Sequence, residues 1–233
     1  MAGVAVSASA PASEGDAPRA LPDLLHRYPA ETPPVSTAGA AVTIVLREGR
    51  QAIETLLIER TERATDPASG QVALPGGHVD DGDGSLLATA LRELEEEVGL
   101  TRGDLRDGPR FVGASEASRF RLVVGVFAAA LGPDGRAPSV RSADEVAHVF
   151  WLPRSALATT ARVHRETVQG YTEVNATVFE GHVLWGFTRR VIRDFFGLPP
   201  EDVLAGPLFA DRSPHAPDLP PPADGGPDGG ALP

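Results

Sequence analysis

Cysteine is absent from this 233-residue chain, so neither disulfides nor thiolate metal sites can carry its stability or its chemistry. Lysine is absent as well, and the 21 basic residues, all arginine, are outnumbered by 32 acids for a formal net charge of −11. A chain of that sign is not expected to hold a nucleic acid, and the trio Arg189, Arg190 and Arg193 does not outweigh it. Long apolar runs are missing, which excludes a helical membrane span, and the opening residues lack the apolar stretch of a secretory signal. No tandem repeat is present. These absences predict a cytoplasmic protein, with no nucleic acid and no membrane as partner, and they leave a homodimer among the assemblies open to it.

What is there is one domain between two weakly hydrophobic ends. Residues 1–20, rich in Ala, Ser, Pro and Gly, and residues 211–233, rich in Pro, Gly, Asp and Ala, cannot bury enough apolar surface to offset the entropy of ordering. Both are read as disordered tails. Residues 21–37, with Leu21, Leu24, Leu25 and Tyr28, suggest a short helix, 38–198 the domain proper, and 199–210 a C-terminal extension. Apolar runs bounded by turn residues predict β-strands at Ala41–Val45, Glu54–Ile58, Phe111–Gly113, Arg121–Ala129, Val146–Leu152 and Thr172–Phe179. Helices are expected over 85–98 and over His182–Phe196, the latter with Leu184, Phe187, Val191, Ile192 and Phe195 on one side. Their order predicts an α/β fold, a sheet flanked by helices.

The most informative stretch runs from Gly76-Gly77-His78-Val79-Asp80-Asp81-Gly82-Asp83 into Arg92-Glu93-Leu94-Glu95-Glu96-Glu97-Val98-Gly99-Leu100. Leu87, Leu91, Leu94 and Val98, widened by Ala90, define a core-facing stripe; Asp83 or Ser85 can cap its start, and Gly99 suits the left-handed position beyond its end. Residues three and four apart on a helix are neighbours, so Glu93, Glu96 and Glu97 project to one side. Like charges at that spacing destabilise a helix by only about 0.2–0.5 kcal/mol per pair, so the glutamates alone leave open both a solvated acidic face and a metal site. The doubled glycine, Arg92 placed to pair with Glu96, and the closing Gly99-Leu100 favour the metal. Oxygen donors suit Mg2+ or Mn2+, which commonly bridge to substrate phosphates, whereas zinc would want thiolates or paired histidines. His78, a loop histidine, reads as polar surface.

This segment is similar to the signature of the Nudix hydrolases: Gly, five residues, Glu, seven residues, then Arg-Glu-apolar-any-Glu-Glu-any-Gly-apolar. Arg92 to Leu100 match throughout. Five residues after Gly77 stands Asp83 rather than Glu, and eight residues rather than seven separate it from Arg92. A narrower resemblance, to the Nudix enzymes that cleave the diphosphate of coenzyme A, rests on Leu56-Leu57-Ile58-Glu59-Arg60, on Gly70-Gln71-Val72-Ala73-Leu74-Pro75-Gly76-Gly77 and on Leu184-Trp185-Gly186-Phe187-Thr188. Leu74 and Ala68 depart from that pattern, where Phe and His are usual.

The resemblance implies an α/β/α sandwich around a mixed sheet and a hydrolase of phosphorus anhydrides. It further implies Glu93, Glu97, Glu96 and the Gly77 carbonyl as ligands of Mg2+ or Mn2+, with Arg92 orienting a glutamate. Either Glu96 or a distant acid, for which Glu145 is the candidate, would deprotonate water; Arg60 and Gln71 would contact substrate. Implied substrates are coenzyme A or acyl-coenzyme A, cut to 3′,5′-ADP and 4′-phosphopantetheine. ADP-ribose or another nucleoside diphosphate derivative is the alternative, and a non-catalytic nucleotide-binding regulator a third.

Overall fold

Two strands that start together and then diverge create the space in which the glycine-rich turn is seated. In the computed structural model, which describes residues 21–30, 32–50, 52–63, 69–117, 121–167 and 170–199, β1 (Ala40–Glu48) and β2 (Ile53–Arg60) pair antiparallel only at Leu46–Glu48 and Ile53–Thr55. Beyond that register β3 (Val72–Ala73) pairs with Ile58 and Glu59 of β2, while β4 (Gly76–His78) pairs with Ala40–Val42 of β1. The turn between β3 and β4 is fastened by Thr43 N donating to Pro75 O at 2.9 Å. The residues expected as tails lie outside the described segments, as does the extension beyond Pro199.

The sheet is mixed. β6 (Leu122–Leu131) runs parallel to β1 and is apolar and buried over most of its length, as a strand covered on both faces must be. β5 (Leu105–Ala117) pairs antiparallel with β6 through two register shifts, extending well past the expected Phe111–Gly113. β7 (Val146–Pro153) closes the free edge of β2. Alternation along the strands divides the core in two. Val45, Leu56, Ile58 and Val146 pack with Leu94, Val98 and Leu100 of α2 (Leu86–Val98) and the residues after it. On the opposite face Ile44, Leu46, Leu57, Val126 and Ala128 pack with Leu21, Leu24 and Leu25 of α1 (Leu21–His26) and with Val191, Ile192 and Phe195. Helices therefore flank both faces of the sheet.

A second, antiparallel sheet contains β8 (Ala161–Thr167), β9 (Gly170–Phe179) and β10 (His182–Trp185). Here the expected helix over His182–Phe196 is corrected. Its first four residues are strand β10, and only Gly186–Phe195 forms α3. The cause lies in the turn: Glu180 and Gly181 both take positive φ, 49° and 88°, and join β9 to β10 as a two-residue hairpin pairing Phe179 with His182. Gly186, φ 62°, then permits the change of direction from strand to helix. Strand β8 was not anticipated.

Candidate active site

Helix α2 is fixed at both ends by the residues its composition offers. Ser85 accepts the Ala88 amide at its start, and Gly99, φ 75°, ends it with its amide directed to the Leu94 and Glu95 carbonyls. The fully buried stripe is Leu86, Ala90, Leu94 and Val98; Leu87 and Leu91, expected at its centre, are half-buried at its margin. That rotation carries Glu97 inward, leaving it 2% exposed, while Glu96 stays on the outer side. Two adjacent acids on one helix, Glu96 and Glu97, thus occupy opposite environments.

Arg92 is the hub of the site. Its Nε and Nη2 donate to the two oxygens of Asp83 at 3.2 and 3.0 Å, its Nη1 to Glu93 at 2.8 Å and to Glu96 at 3.0 Å, and its Nη2 also to the His78 carbonyl at 3.0 Å. Asp80 completes the ring 3.6 Å away. Asp83, whose part was the open question of the sequence, is the buried anchor: Thr89 Oγ1 and the Asp80 amide donate to it at 2.8 and 3.0 Å. The Arg92 guanidinium beside it holds its carboxyl well below the usual range, at about 2. Arg92 in turn is held more firmly protonated than an ordinary arginine, chiefly by Asp83. Asp83 N bonds to Asp80 O in the turn that leads towards the helix, and Asp83 and Arg92 pair although eight residues rather than seven separate them.

The glycines bring backbone against the acids. Gly76, φ 150°, donates its amide to Glu97 Oε2 at 2.9 Å. A Cβ on Gly77 would stand 2.4 Å from Glu93 Oε1, so a side chain there would push the Glu93 carboxylate out of its present place. Burial pushes the Glu97 carboxyl up to about 8 against the Gly76 hydrogen bond, with Glu93 and Glu145 adding repulsion and Arg60 opposing it. Burial also raises Glu93, assisted by Glu96 and Glu145 against the Arg92 bond. Glu145, which immediately precedes β7, thus adds to the negative charge felt by the helix acids. Arg60, paired across the strands with Val146, opposes it at Glu97. Gln71 enters through its backbone, its carbonyl accepting from Arg60 N at 3.0 Å.

A desolvated carboxylate with two like-charged neighbours fits a site that gains from a divalent cation, and the donors Glu93, Glu96, Glu97 and Gly77 are all oxygen. Among the described residues no three acidic or histidine side chains are grouped as metal ligands; Arg92 engages Glu93 and Glu96, and Gly76 engages Glu97. Sequence reasoning missed the Gly76 amide and offered Asp83 only as a helix cap, a place that Ser85 takes. The signal for Asp83 was its correct distance from Gly77.

Comparison with known proteins follows the same residues. The model of the NUDIX domain matches residues 37–171. The chain is similar to the Nudix hydrolase NudL of Citrobacter koseri, 33% identical over 185 residues that cover 75% of this chain and 92% of the relative. It is similar also to NudL of Yersinia pestis, 31% identical over 146 residues that cover 60% and 69%. Among solved structures, a MutT/nudix family protein from Enterococcus faecalis aligns over 72% of this chain and 62% of its own, with 18% identity and a TM-score of 0.45.

Proposed function

The chain belongs to the Nudix hydrolase family, a hydrolase of diphosphate bonds in nucleotide derivatives, and we propose that it cleaves coenzyme A or its thioesters to 3′,5′-ADP and 4′-phosphopantetheine. The observation that carries the chemistry is the seating of the α2 acids against the glycine turn, Glu97 on the Gly76 amide and Glu93 on the Arg92 hub, with the charge of Glu145 acting on both.

In this reading Glu93 and Glu97, with Glu96 and the Gly77 carbonyl, hold Mg2+ or Mn2+. The bound ion supplies charge neutralisation for the diphosphate and acidifies water. Glu145 is the proposed base that takes the proton of the attacking water, with Glu96, half exposed and tied to Arg92, as the other candidate. Arg92 orients Glu93 and Glu96 rather than touching substrate, since its donors are already engaged by Asp83, His78 and those glutamates. In the same reading Arg60, with Gln71 beside it, contacts substrate. Phosphoryl transfer needs mainly such positioning and neutralisation.

Support for the coenzyme A substrate comes from where its three sequence stretches lie. The end of β2 pairs with β3 at Ile58–Ala73 and Glu59–Val72, β10 packs on β3, and His182 Nδ1 is 2.8 Å from Glu59 Oε2. Stretches far apart in sequence thus adjoin in the fold. A panel of coenzyme A, acyl-coenzyme A, ADP-ribose and dinucleoside polyphosphates, assayed with Mg2+ and with Mn2+ and resolved by product, tests the proposal. Release of 3′,5′-ADP supports it; turnover confined to ADP-ribose removes the substrate and leaves the chemistry.

A further inference from the structure

Glu145 stands at the end of a connection fastened at both ends. On one side the Ser139 and Arg141 amides donate to the Val98 and Glu97 carbonyls at 3.1 and 3.0 Å, meeting acceptors that the last turn of α2 leaves without helical partners. On the other, three consecutive carbonyls are held by the residues just past β2. Thr61 Oγ1 donates to Ala143 O at 2.9 Å, the Arg63 guanidinium donates to Asp144 O, and Thr61 N donates to Glu145 O at 2.9 Å. Ser142 O accepts both Glu145 N and Val146 N, closing the turn, and Val146 then packs with Leu94 and Val98 of α2.

We infer that Thr61 and Arg63 are positioning residues, which fix the backbone of residues 143–145 and so present the Glu145 carboxylate to Glu93 and Glu97. The inference rests on the role proposed above for Glu145 and extends the working site to a strand end outside the signature. Both side-chain bonds lie at the exposed surface, where a hydrogen bond contributes little to folding. Three donors directed at three successive carbonyls leave the connection little freedom of rotation, and the orientation of a base is sensitive to displacements of about 1 Å.

The test is a mutational cycle with Thr61→Val, which keeps the backbone donor, Arg63→Ala, the two together, and Glu145→Gln, assayed on the diphosphate that turns over fastest at saturating Mg2+. The double variant is expected to lose about 10-fold in kcat with KM changed less than about twofold. In the Glu145→Gln background the same pair is expected to cause no further loss. Amide hydrogen exchange is expected to quicken over residues 142–146 and to stay unchanged elsewhere. Equal losses in both backgrounds, an unchanged kcat, or unaltered exchange would each overturn the inference. Full activity in Glu145→Gln alone would also overturn it, while wild-type product analysis would still uphold the diphosphatase reading. A wild-type protein inert on every diphosphate would retire both.

Discussion

Arg92 and Asp83 form a two-point pair, Nε to Oδ1 at 3.2 Å and Nη2 to Oδ2 at 3.0 Å, across a turn one residue longer than the family pattern allows. The planar guanidinium is spent on this pair along one edge and aims its remaining donor at Glu93 and Glu96. Asp83→Ala is expected to lower stability by about 2–3 kcal/mol, because a charged acceptor of several buried donors is removed. It should also lower kcat, since Arg92 can then swing away from the glutamates. Urea denaturation with steady-state kinetics checks both; a variant as stable and as active as wild type would show the pair to be idle.

Acid should act through the two lowered carboxyls. Asp83, and Asp104 held by Thr101 and by the Arg136 amide, both titrate at about 2 in the folded chain against an ordinary 3.8. Between those values the unfolded chain takes up protons that the folded chain does not, so stability rises with pH there. Their contribution is complete above the ordinary value and is lost as pH falls through about 2. Asp83→Asn and Asp104→Asn are expected to flatten the fall in denaturation midpoint from pH 4 to pH 2, whereas an unchanged slope would assign acid unfolding to other groups.

The two adjacent glycines should respond differently to the same change. A methyl at Gly76 meets backbone, Ala41 O at 2.2 Å and Val42 Cα at 2.6 Å, and also demands φ 150° of an L-residue. A methyl at Gly77 meets the far end of the Glu93 side chain, which can turn aside. Gly76→Ala is expected to destabilise by about 3 kcal/mol or more, and Gly77→Ala by about 1 kcal/mol with a disproportionate loss of kcat. Thermal denaturation and turnover measured on both proteins separate the cases, and equal stability losses would count against the described approach of strand and helix.

Legibility in the sequence followed the range of the interaction. Helix α2 was readable because its cap, stripe and terminal glycine lie within fifteen residues of one another, and the acids on it came with it. Its stripe was displaced by one position, since half-buried Leu87 and Leu91 look as apolar as the buried Leu86 and Ala90. Strand β10 was read as helix because Leu184 fits either period, although the Glu180-Gly181 turn carried the contrary signal. Asp83 depended on how a turn absorbs one extra residue, which spacing alone does not decide. That Glu145 comes near the end of β2 follows only from the sheet, through the pairing of Arg60 with Val146. The coenzyme A stretches adjoin for the same reason.

Glu97→Gln offers the sharpest single measurement. The glutamine keeps an acceptor for the Gly76 amide and the same volume in the core, and removes only the buried charge proposed to hold the ion. Turnover of the best diphosphate substrate at saturating Mg2+ should fall by about 10²-fold or more, equivalent to about 2.7 kcal/mol of barrier, in a protein that still folds. Near-normal turnover in that protein would contradict the assignment of the α2 acids as the cation site.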